Sequence, residues 1–232
     1  MLMDAFDADL NSRVYRELDS AFDPQRPMRL KHRRELADLL SGERAPLVVA
    51  KPLLDSQIAA KILDSFDGSR GIWIFRDFRS VALSNLRRFG NGNGFKDLEP
   101  ILRANADDWR YEAISDTSAK IVRTHMERGI SDMDAAALFW FVRNQAFFEQ
   151  ELDGRADVLL CQYESLASDA DSEMQRIYKF VGTGYPGAKI IRHIHQDAVG
   201  RGAGIRLDDE VEALCNNLKE RLRAIARRDR SK

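Results

Sequence analysis

Leu47-Val48-Val49-Ala50-Lys51-Pro52 and Gly71-Ile72-Trp73-Ile74-Phe75-Arg76-Asp77 are the two stretches on which the fold turns. Each is a short, unbroken apolar run that stops abruptly at a charged residue. Runs of that length without polar alternation predict strands buried on both faces, as in a parallel sheet. Between them, residues 56–66 read as a helix capped by Asp55 or Ser56, with Ile58 and Ile62 facing inward and Gly68 placed to end it. After the second run, residues 80–89 read as a helix broken by Gly90, Gly92 and Gly94. Strand, helix, strand, helix predicts a βαβ unit on a parallel sheet.

Working outward, Met3, Phe6 and Leu10 lie at helical spacing ahead of a short strand, Ser12–Tyr15. Residues 28–42 read as a basic amphipathic helix carrying Leu30, Leu36, Leu39 and Leu40, closed by Gly42. Residues 95–154 offer no strand; 100–109, 115–128 and 132–151 read as helices, so a helical insertion spans about 92–154. Strand character returns at 157–162, followed by a helix at 172–181. A glycine-bearing segment, Val199-Gly200-Arg201-Gly202-Ala203-Gly204, precedes a last helix with Val211, Leu214, Cys215, Leu218, Leu222 and Ile225 on one face. The whole, 1–232, reads as a single α/β domain.

Composition narrows the classes. The chain has 232 residues, 44% hydrophobic and 31% charged, with a net charge of -1. That apolar fraction supports a core without disulfides or metals and argues against disorder. No apolar run approaches the roughly 20 residues of a membrane span. The acidic start, with Asp4, Asp7 and Asp9, lacks the pattern of a signal peptide. The near-zero charge argues against a nucleic-acid coat. Cys161 and Cys215 read as small core residues in a reducing compartment, hence a cytoplasmic protein. His32, His125, His193 and His195 show no zinc spacing, and no metal is expected.

Ligands of open parallel sheets bind outside the carboxyl ends of the strands. Here those ends carry Lys51, Arg76 and the segment Gln162-Tyr163-Glu164. Two cations there, with helix N-termini following, predict an anion site for phosphate or sulfate. Ser84, early in the helix after Arg76, would place a hydroxyl beside that guanidinium. A solvated Lys51 at a strand end is the plainer alternative.

Lys51-Pro52-Leu53-Leu54-Asp55-Ser56 and Trp73-Ile74-Phe75-Arg76-Asp77-Phe78-Arg79-Ser80-Val81-Ala82-Leu83-Ser84 together resemble the P-loop-fold sulfotransferases, which transfer a sulfuryl group from 3′-phosphoadenosine 5′-phosphosulfate. The family's 3′-phosphate motif reads R-D-P-R-D-V-A-L-S; here Phe78 replaces its Pro and Ser80 its second Asp. Gln162-Tyr163-Glu164-Ser165-Leu166 is similar to its Y-E-D-L element, and Phe180-Val181-Gly182 to its F-L-G. The resemblance implies a three-layer sandwich around a central parallel sheet, like that of P-loop NTPases, with the helical region inserted. It implies that Arg76 and Ser84 hold the donor's 3′-phosphate and that Arg201, between Gly200 and Gly202, closes on it. Tyr163 would pack near the adenine, or serve as a core tyrosine. Lys51 would stabilise charge at the sulfuryl group, and Glu17, in Val14-Tyr15-Arg16-Glu17, would be the general base, with Asp55 a weaker candidate. No metal is implied.

One departure stands out. The family opens with a strand and an S-G-T-T loop around the 5′-phosphosulfate, whereas the first glycine here is Gly42. The fold is therefore expected to be N-terminally truncated, with half of the donor site. This leaves two readings: a sulfotransferase acting on a hydroxyl or amine of a small-molecule, carbohydrate or lipid acceptor, or a non-catalytic binding protein on the same fold. In the second, the helical insertion and the basic end around Lys219, Arg221, Arg223, Arg227, Arg228, Arg230 and Lys232 would be partner surfaces. A nucleotide kinase would need a G-x-x-x-x-G-K-[ST] loop and a magnesium-binding Asp; the loop is absent, and Asp77 alone is a poor substitute. Phe95, Trp109, Tyr111, Trp140 and Phe141 would line an acceptor pocket or fill the core.

Overall fold

A computed structural model describes residues 1–195 and 199–230. In chain order the regular elements are α1 (Leu2–Asp7), β1 (Ser12–Tyr15), α2 (Arg33–Ser41), β2 (Leu47–Ala50), α3 (Ala59–Ser65), β3 (Gly71–Phe75), α4 (Phe78–Phe89), α5 (Asn93–Leu102), α6 (Asp116–Glu127), α7 (Asp132–Glu149), β4 (Val158–Gln162), α8 (Tyr163–Ser168), α9 (Ala170–Val181) and α10 (Asp209–Arg230). The protein is predominantly helical, with two small parallel sheets. It divides into two compact units, Met1–Arg70 with Ser165–Gln196, and Gly71–Glu164 with Asp197–Lys232.

In the first unit β1 and β2 pair in parallel, Ser12 opposite Leu47 and Tyr15 opposite Ala50. Tyr15, Ala21, Phe22 and Leu36 form a buried cluster beside them. Phe6 packs on Tyr178 of α9, ring centroids 5.6 Å apart. The Tyr178 hydroxyl donates to buried Asp9 at 2.8 Å. Burial, reinforced by that carboxylate, pushes the Tyr178 phenol above its ordinary range.

The expected helix over 28–42 begins only at Arg33. The reason is non-local. Met28 has φ 65°, Leu30 bridges to Phe22, and the Leu30 N–H donates to Asp55 at 2.8 Å. Asp55 is therefore no helix cap. Its other oxygen accepts from Arg29 Nε at 2.7 Å, so the carboxylate considered as a weaker base is occupied on both oxygens. Residues 56–58 form a tighter 3₁₀ turn, and α3 starts at Ala59. Gly42 does end α2, but in ordinary right-handed geometry.

In the second unit β3 pairs with β4 in parallel, Gly71 opposite Val158 and Phe75 opposite Gln162. The expected pairing of β2 with β3 through their connecting helix is thus corrected: each strand pairs with another one. Nor are both strands buried on two faces. Val48, Val49, Ile72 and Trp73 are half-buried and Ile74 is 40% exposed, whereas Val158 to Cys161 are fully buried.

The regular elements between residues 93 and 149 are all helices, as expected of the insertion, but the first is α5 rather than 100–109. Pro100 lies inside it, and the chain leaves it at Ala104, whose φ is 49°. Gly94 is not a breaker. A Cβ there would stand 2.2 Å from the Asp132 carbonyl, so glycine lets α5 lie against the start of α7. Ser131 and Asp134 form a capping box on α7. α7 is buried on nearly every face and packs on β3: Trp73 Nε1 donates to Asn144 Oδ1 at 3.3 Å, and Trp73 meets Phe147 at 5.5 Å. Cys161 and Cys215 are free and buried, and burial pushes the Cys215 thiol well above its ordinary range. None of the described helices is long and apolar enough to cross a membrane.

Candidate functional site

The turn after β3 is held from three sides within its unit. Asp77 caps α4, its Oδ1 accepting from the N–H groups of Arg79 and Ser80 at 3.1 and 3.2 Å. The Asp77 N–H donates to Glu164 Oε1 at 2.9 Å, and Lys219 Nζ of α10 donates to Asp77 Oδ2 at 3.2 Å. Trp140 Nε1 of α7 donates to the Arg76 carbonyl at 2.9 Å. Because Asp77 is the cap, α4 begins at Phe78 rather than residue 80. Ser80 therefore lies in its first turn and Ser84 in its second.

This places one face of α4 along a cavity of about 280 Å³ lined by Arg76, Ser80, Leu83, Ser84, Arg87, Arg88 and Arg201. Arg76, Ser84 and Arg201, distant in sequence, are thus brought together. Four guanidinium groups, two hydroxyls and no carboxylate line the cavity. Such a lining suits a phosphate or sulfate monoester, which guanidinium groups bind through paired, charge-assisted hydrogen bonds. Arg87 and Arg88 were not anticipated. They follow Ser84 at i+3 and i+4, and Ser80 precedes it at i−4, so helical periodicity puts all four on one face.

Arg201 reaches the cavity through a tight contact. The Gly202 N–H donates to Ser80 Oγ at 3.2 Å, and a Cβ on Gly202 would lie 2.4 Å from Ser80 N and 2.5 Å from Arg79 C. Only a residue without a side chain can bring this segment so close to the first turn of α4. Gly200, with φ 73°, makes the turn just before it. Tyr163, at the end of β4, lies beneath the Arg76 guanidinium, 4.6 Å from ring centroid to Cζ. Its ring thus supports the cation that lines the cavity.

Val199, Gly200, Ala203 and Ile205 to Leu207 line a larger cavity of about 660 Å³, together with Asp77, Arg79, Glu164, Glu212 and Arg223. Its charges are mixed, and Arg79 pairs with Glu212 at 2.5 Å. Asp77, serving as helix cap and partner of Lys219, is committed to structure rather than to a magnesium ion. Among the described residues no group of three or more His, Cys, Asp and Glu could hold a metal.

Glu17 and Lys51 belong to the other unit, where they form an ion pair of 2.8 Å. The Lys51 ammonium holds the Glu17 carboxyl below its usual range. Glu17 is therefore ionised at neutral pH and able to accept a proton, but it is a weaker base than a free glutamate. Of the aromatic residues of the insertion, Trp140 and Phe141 are buried, Phe95 is exposed, and the guanidinium groups of Arg110 and Arg143 stand 4.8 and 4.7 Å from the Trp109 ring. Among the described residues the basic end is partly turned inward, and Lys232 lies outside them. Lys219 is 8% exposed, Arg221 stacks on Phe148 at 4.0 Å, and Arg228 donates to the Asp153 carbonyl.

Lys219 was not anticipated as part of the site, since nothing local marks a lysine on an amphipathic helix as buried. Lys219→Met should cost about 1–3 kcal/mol in a denaturant titration, because it leaves the half-buried Asp77 carboxylate short of its cation. Lys219→Arg should retain most of that stability.

Models of protein families, curated proteins and solved structures were compared with the chain, and none of them matches it.

Proposed function

We propose that the chain is a sulfotransferase-family protein whose Arg76, Ser84 and Arg201 bind the 3′-phosphate of 3′-phosphoadenosine 5′-phosphosulfate. The observation that carries this reading is the carboxylate-free cavity that gathers those three residues with Arg87 and Arg88. Tyr163 beneath Arg76 and Gly202 against Ser80 support it, since both fix cavity residues in place. In the transfer, a hydroxyl or amine of the acceptor attacks sulfur and the bond from sulfur to the bridging oxygen breaks. Glu17 takes the acceptor proton, and Lys51 balances charge on the leaving 5′-phosphate. No metal takes part in this scheme.

The finer architecture belongs to the same proposal: a three-layer, P-loop-like sandwich around one parallel sheet, with 92–154 inserted. It requires a strand that neither pair contains. The half-exposed apolar side chains of Val48, Val49, Ile72 and Ile74 support it, because parallel strands are normally covered on both faces.

Titration calorimetry with two nucleotides tests the reading. 3′-Phosphoadenosine 5′-phosphate should bind at least about tenfold more tightly than adenosine 5′-phosphate, the difference a charge-assisted phosphate contact makes. Equal affinities would sink the assignment. A second reading, a non-catalytic anion-binding protein, is favoured by the Glu17–Lys51 pair, which neutralises both proposed catalytic groups. It predicts the same nucleotide preference with no transfer to any hydroxyl or amine acceptor.

A further inference from the structure

A second basic cavity lies in the unit that contains α2 and α3. Its volume is about 200 Å³. Lys31, Arg33 and Lys61 line it beside His32, and among the described residues neither lysine nor Arg33 has an acidic partner. The remaining cations at its edge are already committed: Arg29 is paired with Asp55 at 2.7 Å, and Arg26 with Asp23 at 2.7 Å. Asp55 is the only carboxylate in the lining, and both of its oxygens are engaged. Gathering unpaired cations around one concavity raises its potential, and an anion relieves their mutual repulsion. The positive end of α2 adds to that field.

The rest of the lining is apolar. Leu30, Ile58, Ile62 and Phe66 are half-buried and Leu36 is buried. This distinguishes it from the Arg76 cavity, whose lining contains one leucine among arginines and serines. A bare inorganic ion would leave that apolar wall in water. The volume falls below the roughly 300–1,000 Å³ of pockets that hold drug-sized ligands, so the occupant is small.

We propose that this cavity binds an amphiphilic organic anion, a sulfate, phosphate or carboxylate head on a short alkyl or aryl body. The head meets Lys31, Arg33 and Lys61, and the body covers Ile58, Ile62 and Phe66. The site is independent of the nucleotide reading, because its residues are none of those assigned there.

Calorimetry on the full chain, with octyl sulfate kept below its micelle-forming concentration, provides the test. Octyl sulfate should bind at least about tenfold more tightly than methyl sulfate, which has the head alone, and than octyl glucoside, which has the body alone. The exposed pair Arg33→Glu with Lys61→Glu should weaken octyl sulfate at least about tenfold while leaving the thermal melt in place. Measured in the Arg76→Ala background, which weakens sulfate esters in the other basic cavity, the preference for octyl sulfate over methyl sulfate should persist. Methyl sulfate binding as tightly as octyl sulfate would overturn the proposal in favour of a plain ion site. Retained affinity in the double charge reversal would overturn it, as would binding only to vesicles containing phosphatidic acid.

Discussion

Arg76→Ala should weaken binding of 3′-phosphoadenosine 5′-phosphate about 30–100-fold, the loss expected when a bidentate, charge-assisted contact to a phosphate is removed. Arg76 combines three features that make this the largest effect on affinity. It leaves the end of β3, its carbonyl is held by Trp140 Nε1, and its guanidinium lies over the Tyr163 ring. The cation is therefore positioned before any ligand arrives, and little ordering cost offsets its contact. Arg76→Lys should recover only part of the affinity, since a point charge cannot make the paired hydrogen bonds. Arg201→Ala should lose less, because Arg201 is exposed and water screens its contact to an anion more. Calorimetry on the three variants gives the ranking. Unchanged affinity in Arg76→Ala, with an unchanged melt, would remove the cavity from the nucleotide site.

Gly202→Ala is expected to lose stability and affinity together, the loss of stability being about 1–3 kcal/mol, or a fall in Tm of roughly 3–10 °C for a chain of this size. The added methyl group would stand 2.4 Å from Ser80 N and 2.5 Å from Arg79 C. Both are backbone atoms in a capped helical turn, so neither can swing away as a side-chain end could. The 199–204 segment must lift instead, breaking the bond from Gly202 N–H to Ser80 Oγ and drawing Arg201 from the cavity. Nucleotide affinity should therefore fall together with stability. Gly204→Ala is the control: its Cβ would meet nothing within 4 Å, and both quantities should stay as they are. If Gly202→Ala melted and bound like the parent chain, the contact between this segment and α4 would not exist in solution.

Much of the local structure was legible because its causes are local. β1 and β2 run over the residues expected of them, and β4 starts within a residue of expectation, since short apolar runs end at charged or turn-forming residues. The cation-bearing strand ends were legible for the same reason. Helix starts were read less well wherever a distant group decided them. Residues 28–32 stay out of α2 because Asp55 holds the Leu30 N–H and the Arg29 side chain. α4 starts early because Asp77 was an unrecognised cap, fixed in place by Glu164 and Lys219.

The sequence by itself determined where the strands form, that Cys161 and Cys215 belong to the core, and that Lys51 and Arg76 stand at strand ends. Spacing along the chain and the solvation of each side chain suffice for that. Only the tertiary structure decided which strands pair, β1 with β2 and β3 with β4, because ladder hydrogen bonds join residues whose separation no local pattern records. It alone brought Arg201 to the face of α4 and turned Lys219 inward to Asp77. Those contacts depend on how closely two backbones approach and on which charges are taken out of water, and packing settles both.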